Sequence, residues 1–425
     1  MTLESVRLTD FAIAPSDIEA AAAAIKDHVI RTPLVHAPRL SGLTGAQVYV
    51  KYENMQATAS FKERGAANRL AALTPEERGR GVIAMSAGNH AQALAYHARR
   101  MNVPATIVMP EATPQVKVEN TRGHGARVVL HGETLAESQE KAAELVAEEG
   151  SVLVHPYDDP AVMAGQGTAA LEMLADCPDL DAIVVPMGGG GLIAGVAVAA
   201  KALKPGIRII GAEALLFPSF HNALHGASLP IGGATLAEGI AVKHVGKLTL
   251  PIARALVEGP VLLREDMIER AVNAFATLQH TMAEGAGAAG LAAMLAEPEL
   301  FRGLKVGVIL CGGNIDARLL ASIMVRELER DSRILSLRIT APDRPGLLGE
   351  IASRLGALRA NILEVSHGRL MLDVPAKGVT IDITVETRGT AHAAEILAAL
   401  DAEGLAPRRL DPRGLSGSPK TGSHR

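Results

Sequence analysis

The sequence predicts an α/β fold built on parallel sheets, followed by a smaller α+β module. Between about residues 45 and 325, short apolar runs alternate with segments of helical period, which is the pattern of parallel strands joined by crossover helices. After "ELERDSR", residues 327–333, the order of elements changes to βαββαβ. The length of 425 residues is enough for two or three domains. We therefore expect a large unit at residues 1–328 and a small one at residues 329–410.

The large unit is predicted to contain a strand at each apolar run, and most of these runs are followed by a helical segment. Ligands bind at the carboxyl ends of parallel strands, so the turns after these runs are where binding residues are expected. The predicted strands are, in order, "VYVKY" (48–52), "GVIAMS" (81–86), "ATIVMP" (105–110), "ARVVLH" (126–131), "SVLVHP" (151–156), "DAIVVPM" (181–187), "IRIIGAE" (207–213) and "KVGVILC" (305–311).

The small unit is predicted to form a compact ferredoxin-like βαββαβ module. After it, residues 411–425 are rich in glycine, serine and charged residues and should be disordered. The predicted strands and helices are, in order, "ILSLRITA" (334–341), the helix "PGLLGEIASRLGAL" (345–358), "NILEVSHG" (361–368), "GVTIDITVE" (378–386), the helix "AHAAEILAALDAEG" (391–404) and the short strand "PRRLD" (407–411).

The composition is that of a globular protein. Hydrophobic residues make up 48% of the chain, charged residues 21%, and the formal net charge is −4. This charge gives no reason to expect nucleic acid or an anionic membrane as a partner. Cys177 and Cys311 lie far apart without metal-ligand spacing, and the sequence shows neither a signal peptide nor an apolar span. We expect a cytoplasmic protein that binds small molecules and no metal.

Lys62 lies within "TASFKERGAANR", residues 58–69, at what reads as the first turn of a helix. Ser60 and Glu63 have the spacing of a capping box, which makes Lys62 the second helical residue. The unpaired N–H groups and the macrodipole there disfavour an ammonium group and lower the pKa of the lysine. An amine of lowered pKa is a better nucleophile towards a carbonyl group. The alternative is a solvated surface lysine.

Four glycines lie between a predicted strand and a helix in "PMGGGGLIAG", residues 186–195. Glycines let the backbone approach an anion closely, and the helix start offers free N–H groups, so we interpret the segment as a phosphate-binding loop. Gly189, Gly191 and Ala194 also satisfy the dinucleotide pattern G-x-G-x-x-A. Glu213 falls near the spacing of a ribose-binding acid. A dinucleotide-binding fold is therefore one alternative, and a tight turn without a ligand is another.

A second strand-to-helix turn carries polar side chains in "MSAGNHAQALA", residues 85–95. Ser86, Asn89 and His90 surround Gly88 there, and donors at such a turn suit a carboxylate or a ring oxygen. The alternative needs no ligand, because Asn89 could cap the helix and His90 could be a core residue.

A further polar turn, "LCGGNID" (310–316), ends the last predicted strand, where Cys311 is either a small buried hydrophobe or the partner of a ligand atom. The segments "SFKERGAANR", "SAGNHAQ", "GGGGL", "EGAGAA" (284–289) and "CGGNID" occur in the order and spacing of pyridoxal-phosphate enzymes of the tryptophan-synthase-β fold. Over roughly residues 15–325 the chain resembles the family of threonine dehydratases, serine dehydratases and serine racemases. The dinucleotide-binding alternative explains only one of these segments and is set aside.

The resemblance implies the fold-type-II architecture, with a smaller subdomain at about residues 56–160, and pyridoxal 5'-phosphate as cofactor. Lys62 would hold the cofactor covalently and remove the substrate α-proton. The residues expected to bind the cofactor are Phe61, Lys62, Asn89, Gly188, Gly189, Gly190, Gly191, Leu192, Gly239 and Cys311. Those expected to bind the substrate are Ser86, Ala87, Gly88, Asn89 and His90.

Within these roles, the resemblance implies that the glycines and the Leu192 amide bind the phosphate and that Asn89 binds the ring hydroxyl. Phe61 and Gly239 would flank the ring. Cys311 matches the position that faces the pyridine nitrogen, where a thiol leaves the nitrogen largely unprotonated and favours elimination over transamination.

The implied reaction is dehydration and deamination of L-threonine, and of L-serine, to a 2-oxo acid and ammonia. A serine racemase or a 3-hydroxyaspartate dehydratase of the same family is an alternative. Racemases of the family carry a serine at the position of Ala87, which argues against racemisation here. The sequence has Ala59 where the family more often has glycine and Glu238 where aspartate is usual. These two differences concern substrate preference.

The small unit resembles an ACT domain through "APDRPGLLGEIASRLGALRANILEVSHGR", residues 341–369. The resemblance implies an amino-acid effector held near Asp343, Arg344 and Gly346 and a homo-oligomer, either a dimer or a tetramer. Isoleucine and valine are the first effectors to consider, because threonine dehydration feeds isoleucine biosynthesis, although a catabolic role is an alternative. The small unit could instead be a structural or dimerising module, and the whole chain could be a non-catalytic amino-acid sensor without a chromophore.

Overall fold

The computed structural model describes residues 7–369 and 377–410. The chain divides into two compact units, Met1–Asp316 and Ala317–Arg425. The predicted boundary between residues 328 and 329 remains a prediction. The tail predicted to be disordered, residues 411–425, lies outside the described residues.

The first unit alternates helices and strands along most of its length. Its helices are α1 (Pro15–Ile25), α2 (Pro38–Thr44), α3 (Lys62–Ala71), α4 (Pro75–Arg80), α5 (Asn89–Arg100), α6 (Gln115–Gly123), α7 (Leu135–Glu149), α8 (Pro160–Asp176), α9 (Gly191–Leu203), α10 (Ser219–His225), α11 (Thr249–Leu256), α12 (Glu265–Leu278) and α13 (Gly285–Ala296). Its strands are β1 (Leu34–His36), β2 (Gln47–Tyr52), β3 (Val82–Met85), β4 (Ala105–Met109), β5 (Arg127–Leu130), β6 (Val152–Leu153), β7 (Ala182–Pro186), β8 (Arg208–Ala214), β9 (Glu258–Leu263) and β10 (Lys305–Leu310). Short 3-10 helices lie at Leu8–Asp10, Glu53–Met55, Glu238–Ile240 and Pro298–Leu300.

The strands of the first unit form two sheets. The larger sheet has the order β1-β2-β10-β7-β8-β9 and is parallel except for β1, and the smaller sheet, β5-β4-β3-β6, is parallel throughout. This confirms the predicted parallel α/β fold, and each predicted apolar run is a strand. The smaller sheet lies within residues 56–160, although the limits of that subdomain remain a prediction. The sequence did not predict β1, which has three residues, or β9, which contains Gly259 and Pro260 and so reads as a turn.

Glycines allow α3, α8 and α9 to pack closely. A Cβ atom at Gly165 on α8 would lie 2.5 Å from the carbonyl oxygen of Arg64 on α3. A Cβ atom at Gly167, also on α8, would lie 2.8 Å from the carbonyl oxygen of Gly195 on α9. Only glycine permits backbones to approach this closely. Helix α8 therefore sets the distance between α3, which begins at Lys62, and α9, which follows the four glycines.

Four charged side chains form a buried charge cluster that joins β2, the turn after it, α3 and α8. The cluster consists of Lys51, Glu53, Arg64 and Glu172. Arg64 is fully buried and donates to Glu53 at 2.7 and 2.8 Å and to Glu172 at 2.7 and 2.8 Å. Burial alone lowers the pKa of Arg64, but the two carboxylates outweigh it and raise that pKa above its ordinary value. Two positive and two negative groups thus compensate one another.

The second unit begins with α14 (Ala317–Arg330) and continues as β11 (Ile334–Pro342), α15 (Leu347–Ala357), β12 (Asn361–Gly368), β13 (Gly378–Glu386), α16 (Thr390–Ala402) and β14 (Arg408–Arg409). Its antiparallel sheet has the order β12-β13-β11-β14. The alternate residues Leu335, Leu337 and Ile339 of β11 are buried in one apolar cluster with Ile351 and Leu355 of α15. This confirms the predicted βαββαβ module.

Two kinds of feature are absent from residues 7–369 and 377–410. No helix in these ranges is both long and apolar enough to cross a membrane. No group of three or more His, Cys, Asp or Glu side chains there is placed to bind a metal ion. Glu213, which falls near the spacing of a ribose-binding acid, instead accepts the N–H groups of Phe220 and His221 at 2.7 and 3.0 Å and caps α10.

Candidate active site

Lys62 is the first residue of α3, and Phe61 precedes the helix without a side-chain cap. The predicted capping box is wrong, because Glu63 does not reach back to Ser60. Its carboxylate instead accepts the N–H group of Thr58 and lies 3.0 Å from Nε2 of His97. Both Glu63 and His97 are buried, so a contact from α5 competes successfully for the side chain that the local pattern assigned to the cap.

The amine of Lys62 lies in a largely desolvated position. Its Nζ atom donates to the carbonyl oxygen of Pro156 at 2.6 Å and lies 5.2 Å from the centroid of the Phe61 ring. Burial lowers the pKa of Lys62 to about 8, while Cys311 and Glu284 act in the opposite direction. The lowered pKa agrees with the prediction, but burial is the main cause. About a tenth of the amine is therefore neutral and nucleophilic at pH 7, far more than for an ordinary lysine.

The four glycines lie between β7 and α9, and neighbouring groups leave no room for larger residues. Gly190 has a φ of +94°, and a Cβ atom there would lie 2.5 Å from Cζ of Phe220. A Cβ atom at Gly188 would lie 2.9 Å from the Cα atom of Ile240. The N–H groups of the first residues of α9, including Leu192, have no acceptor within the helix. The loop therefore offers a concave set of donors that suits a phosphate group.

The segment His155–Asp158 contacts both the glycine loop and Lys62. No sequence motif had indicated that it belongs to the site. The ring of Tyr157 occupies the space that a Cβ atom at Gly189 would need, and its hydroxyl donates to the carbonyl oxygen of His244 at 3.0 Å. Nδ1 of His155 accepts the N–H groups of Tyr157 and Asp158 at 3.3 and 2.8 Å. The polar run "HPYDD" directly after β6 is the signal that could have drawn attention to it.

Helix α5 begins at Asn89, and Gly88 occupies the position before it. The hydroxyl of Ser86 accepts the N–H group of Gly88 at 3.3 Å. Asn89 is thus a helical residue and does not cap the helix. Its Nδ2 donates to Oε1 of Glu284 at 2.7 Å, and its Oδ1 accepts from Nδ2 of Asn314 at 2.8 Å. The free N–H groups of the first turn remain available to a carboxylate.

The ring of His90 is part of the core. It is 3% exposed, and its Nε2 pairs with the carbonyl oxygen of Val154 at 3.0 Å. Burial lowers the pKa of His90 to about 3, with a further contribution from Lys62, so the ring is neutral and Nε2 carries the proton. This placement agrees with the alternative that His90 is a core residue. The backbone N–H group of His90 remains part of the turn.

Cys311 and Gly239 come together around α13. Sγ of Cys311 lies 3.5 Å from the carbonyl oxygen of Ala286, and burial raises the pKa of this thiol well above its ordinary value. A Cβ atom at Gly239 would lie 3.0 Å from Cβ of Ala286 and 3.5 Å from Oε1 of Glu284. Glu284 lies in the motif "EGAGAA", but the sequence alone predicts no role for it. Its hydrogen-bond partner Asn89 lies about 200 positions away along the chain. These contacts, and not a pattern, reveal it.

The three predicted effector residues lie at one turn of the second unit, before and at the start of α15. Asp343 pairs with Arg369 at 2.9 Å, and Arg344 forms a double ion pair with Glu350 at 2.6 and 2.5 Å. Gly346 precedes the helix with a φ of +87°. The guanidinium group is therefore already engaged by an acidic side chain of the same turn.

The residues of the first unit fit pyridoxal phosphate. The glycine loop leads into the free N–H groups at the start of α9 that a phosphate needs, and the close contacts at Gly188 and Gly190 leave room only for glycine there. Lys62 supplies an amine of lowered pKa for an aldehyde. Asn89, Gly239 and the Cys311 thiol supply a donor, a flat wall and a neutral partner for an aromatic ring.

Comparisons with known proteins agree with this fit. Residues 25–312 match the family described as "Pyridoxal-phosphate dependent enzyme", and residues 335–402 match the family described as "ACT domain". The L-threonine ammonia-lyase of Thermotoga maritima is 42% identical over 394 residues, which are 92% of this chain and 98% of that protein.

Solved structures give the same result for the first unit. The processed form of threonine deaminase isoform 2 from Solanum lycopersicum is 37% identical, with a TM-score of 0.69, over 73% of this chain and 87% of that chain. Maize serine racemase is 33% identical, with a TM-score of 0.70, over 75% of this chain and 99% of that chain. Dehydration and racemisation thus occur on closely similar folds, so the fold alone does not separate the two reactions.

Proposed function

This chain belongs to the pyridoxal-phosphate dependent enzymes, and from that premise we propose that Lys62, the glycine loop and the Ser86–His90 turn are its active site. The chain is an L-threonine ammonia-lyase with a regulatory ACT domain, which releases a 2-oxo acid and ammonia. The observation that carries the site assignment is the partly buried Lys62 amine of lowered pKa, which donates at 2.6 Å to Pro156 in the segment that contacts the glycine loop.

The cofactor, when bound, supplies the electron sink for the carbanion that forms at the substrate α-carbon. Lys62 would hold the cofactor through its Nζ atom and, when that amine is free, would accept the substrate α-proton as the general base. The amides of the Ser86–His90 turn orient the substrate carboxylate, which directs the α-hydrogen towards Lys62. The Cys311 thiol, whose pKa is raised by burial, stays protonated and neutral. The protein thus positions the substrate and supplies one base, Lys62.

The test is reduction of the purified yellow protein with borohydride, followed by peptide mapping. The reduced cofactor should be found on Lys62, and Lys62→Ala should abolish release of 2-oxo acid from threonine. Lys141→Ala, which removes a surface lysine of α7, is the matched control and should leave turnover unchanged. A colourless protein would support the non-catalytic sensor, and reduced cofactor on another lysine would refute the assignment. Parallel assays with threonine, serine and 3-hydroxyaspartate rank the substrates.

We further propose that residues 334–410 bind an amino-acid effector, with isoleucine and valine as the first candidates. An isoleucine-biosynthetic role and a homo-oligomer belong to the same proposal, as does a cytoplasmic location, which the two free, buried cysteines support. The turn at Asp343, Arg344 and Gly346 supports a carboxylate-binding role, because it combines a guanidinium group with a helix start. Measurement of turnover and of oligomeric state with and without each amino acid tests the proposal.

A further inference from the structure

The side chain of Asn89 is held between two other residues. Asn314 donates through Nδ2 to the carbonyl oxygen of Thr58 at 2.9 Å and to Oδ1 of Asn89 at 2.8 Å. A carboxamide nitrogen has two hydrogens, so both hydrogens of Asn314 are engaged. Because the carbonyl oxygen of Thr58 can only accept, the Asn314 atom that faces both it and Asn89 is the nitrogen.

The orientation of the Asn89 carboxamide follows from this arrangement. Its oxygen faces Asn314, so its nitrogen faces Glu284, whose Oε1 accepts at 2.7 Å. The flipped amide is excluded, because it would place the Asn89 nitrogen against the Asn314 nitrogen, and two N–H donors do not pair. One hydrogen of Asn89 Nδ2 remains, and it has no acceptor among residues 7–369 and 377–410. The hydrogen-bonded series Thr58–Asn314–Asn89–Glu284 therefore leaves one N–H donor of the Asn89 side chain unused at the site.

The absence of a side chain at Gly312 leaves room for the hydrogen bond between Asn89 and Glu284. A Cβ atom at Gly312 would lie 3.2 Å from Nδ2 of Asn89 and would overlap the Glu284 carboxylate. The backbone N–H of Glu284 also donates to the carbonyl oxygen of Gly312 at 3.1 Å. At the first glycine of "CGGNID", the space that a side chain would need is thus taken up by the Asn89–Glu284 contact.

The groups around Glu284 shift its pKa, and its hydrogen bond with Asn89 is one of them. Burial raises the pKa of Glu284 to about 7, while the Asn89 hydrogen bond, Lys117 and Lys62 lower it and Glu238 raises it. A buried carboxyl group without hydrogen-bond donors is costly, so the Asn89 amide and the Glu284 carboxyl stabilise one another.

We propose that Glu284 and Asn314 are positioning residues that hold the Asn89 carboxamide with one Nδ2 hydrogen directed at the ring hydroxyl of the cofactor. The inference rests on the proposed function, because it gives Asn89 the task of recognising that hydroxyl. It adds the two residues that make the recognition selective, and it explains why a buried carboxyl group lies beside a predicted cofactor ligand.

The test uses two probes, pyridoxal 5'-phosphate and its 3-deoxy analogue, which lacks the ring hydroxyl. Their dissociation constants are measured by absorbance with the full-length protein after removal of the cofactor. The wild-type protein should prefer the hydroxylated probe by about tenfold, which corresponds to one hydrogen bond. In Glu284→Ala and Asn314→Ala the preference should fall to about twofold or less, since each variant leaves the Asn89 amide held on one side only. Glu284→Gln keeps an acceptor and should retain the preference.

Selectivity separates positioning from a structural role, because a merely loosened site binds both probes more weakly and keeps their ratio. Glu213→Gln is the control, since Glu213 is another carboxyl group whose pKa is raised to about 7 by burial, yet it caps α10 and lies outside the hydrogen-bonded series. An unchanged ratio in both alanine variants would overturn the proposal. Should Glu284→Ala fail to fold, Asn314→Ala decides alone. Failure of the wild-type protein to bind either probe would overturn the cofactor assignment itself.

Discussion

At the scale of single residues, the chemistry of the site depends on removing water from Lys62. The helix start was expected to lower the pKa of this amine, but burial contributes most. The distinction matters, because a helix-dipole effect is screened by salt, whereas desolvation is not. The nucleophilicity of Lys62 should therefore change little with ionic strength.

We predict that Lys62 titrates near pH 8 in the cofactor-free protein. Burial favours the neutral amine, so its proton is lost at a lower pH than from an ordinary lysine, whose pKa is about 10.4. Pulse acetylation at a series of pH values, with mass spectrometry of the Lys62 peptide, measures the midpoint, and surface lysines of the same digest are the internal control. Glu284→Gln should lower the midpoint further, since Glu284 raises this pKa. A Lys62 midpoint above pH 10 would contradict the prediction.

The linked effect on stability has a definite sign. In the folded protein Lys62 has a lower pKa than in the unfolded chain, so the unfolded chain binds more protons between about pH 8 and 10.4. The contribution of this residue to the free energy of unfolding therefore rises with pH across that window. Below pH 8 the buried ammonium group is a constant cost to the cofactor-free fold.

Ala87 leads to a prediction about stereochemistry. Racemisation needs a proton donor on the side of the substrate opposite Lys62, and a methyl group cannot donate a proton. Ala87→Ser should raise the ratio of D-serine formed to 2-oxo acid released by at least about tenfold, which is below the roughly hundredfold that a well-placed acid contributes at least. Chiral chromatography of the products measures the ratio. Comparable amounts of D-serine and 2-oxo acid from the unmutated protein would refute the dehydratase assignment.

The sequence predicted the positions of the site segments, but it could not predict the contacts between them. Lys62, the glycines and Asn89 are visible because short patterns surround them. Glu284 and Asn314 become meaningful only when residues from opposite parts of the chain meet at 2.7 and 2.8 Å from Asn89. A single sequence carries no signal for such pairs.

At the scale of elements, most strands could be predicted because buried parallel strands are continuous apolar runs. Two kinds of element could not. Strand β9 is interrupted by Gly259 and Pro260, which locally favour a turn, yet the register with β8 is recovered on both sides of a bulge. The start of α3 lacks the capping box because the Glu63 side chain binds a neighbouring helix and loop. In both cases tertiary contacts outweigh local preference.

The close crossing of α8 with α9 gives a stability prediction. Gly167→Ala should lower the free energy of unfolding by about 1–3 kcal/mol, because the new methyl group would meet the Gly195 backbone at 2.8 Å and force the helices apart. Gly42→Ala is the control, since it lies in α2 with nothing within 4 Å, and it should stabilise by about 0.5–1 kcal/mol. Urea unfolding monitored by circular dichroism measures both. Equal effects of the two substitutions would show that the crossing is not tight.

At the scale of the whole molecule, the chain combines a catalytic unit with a unit of a different fold class. The change from parallel to antiparallel pairing near residue 330 was predictable, because the hydrophobic pattern changes there. The exact boundary between the two units was less predictable, because α14 has an ordinary helical pattern and nothing in its sequence assigns it to either unit.

The second unit gives a prediction about regulation in the full-length protein. Arg344→Ala should abolish the response of turnover to the effector, because it removes the cation that would bind a carboxylate. Glu350→Gln should instead reduce the effector concentration needed by about three- to tenfold, since it releases Arg344 from a charged competitor. Arg388→Ala, at another exposed ion pair of this unit, is the control. Titration of initial rates with isoleucine and valine measures the response, and an unchanged response in Arg344→Ala would place the effector elsewhere.

The buried charge cluster constrains how this protein can evolve. Lys51, Glu53, Arg64 and Glu172 come from four separate elements, and loss of any one leaves an uncompensated charge in the interior, which costs about 3–5 kcal/mol. That is a large share of the stability of a typical domain. Lineages are therefore expected to change these positions together or not at all. An apolar replacement of the whole set is physically acceptable, but no path of single substitutions leads to it without passing through an unstable protein.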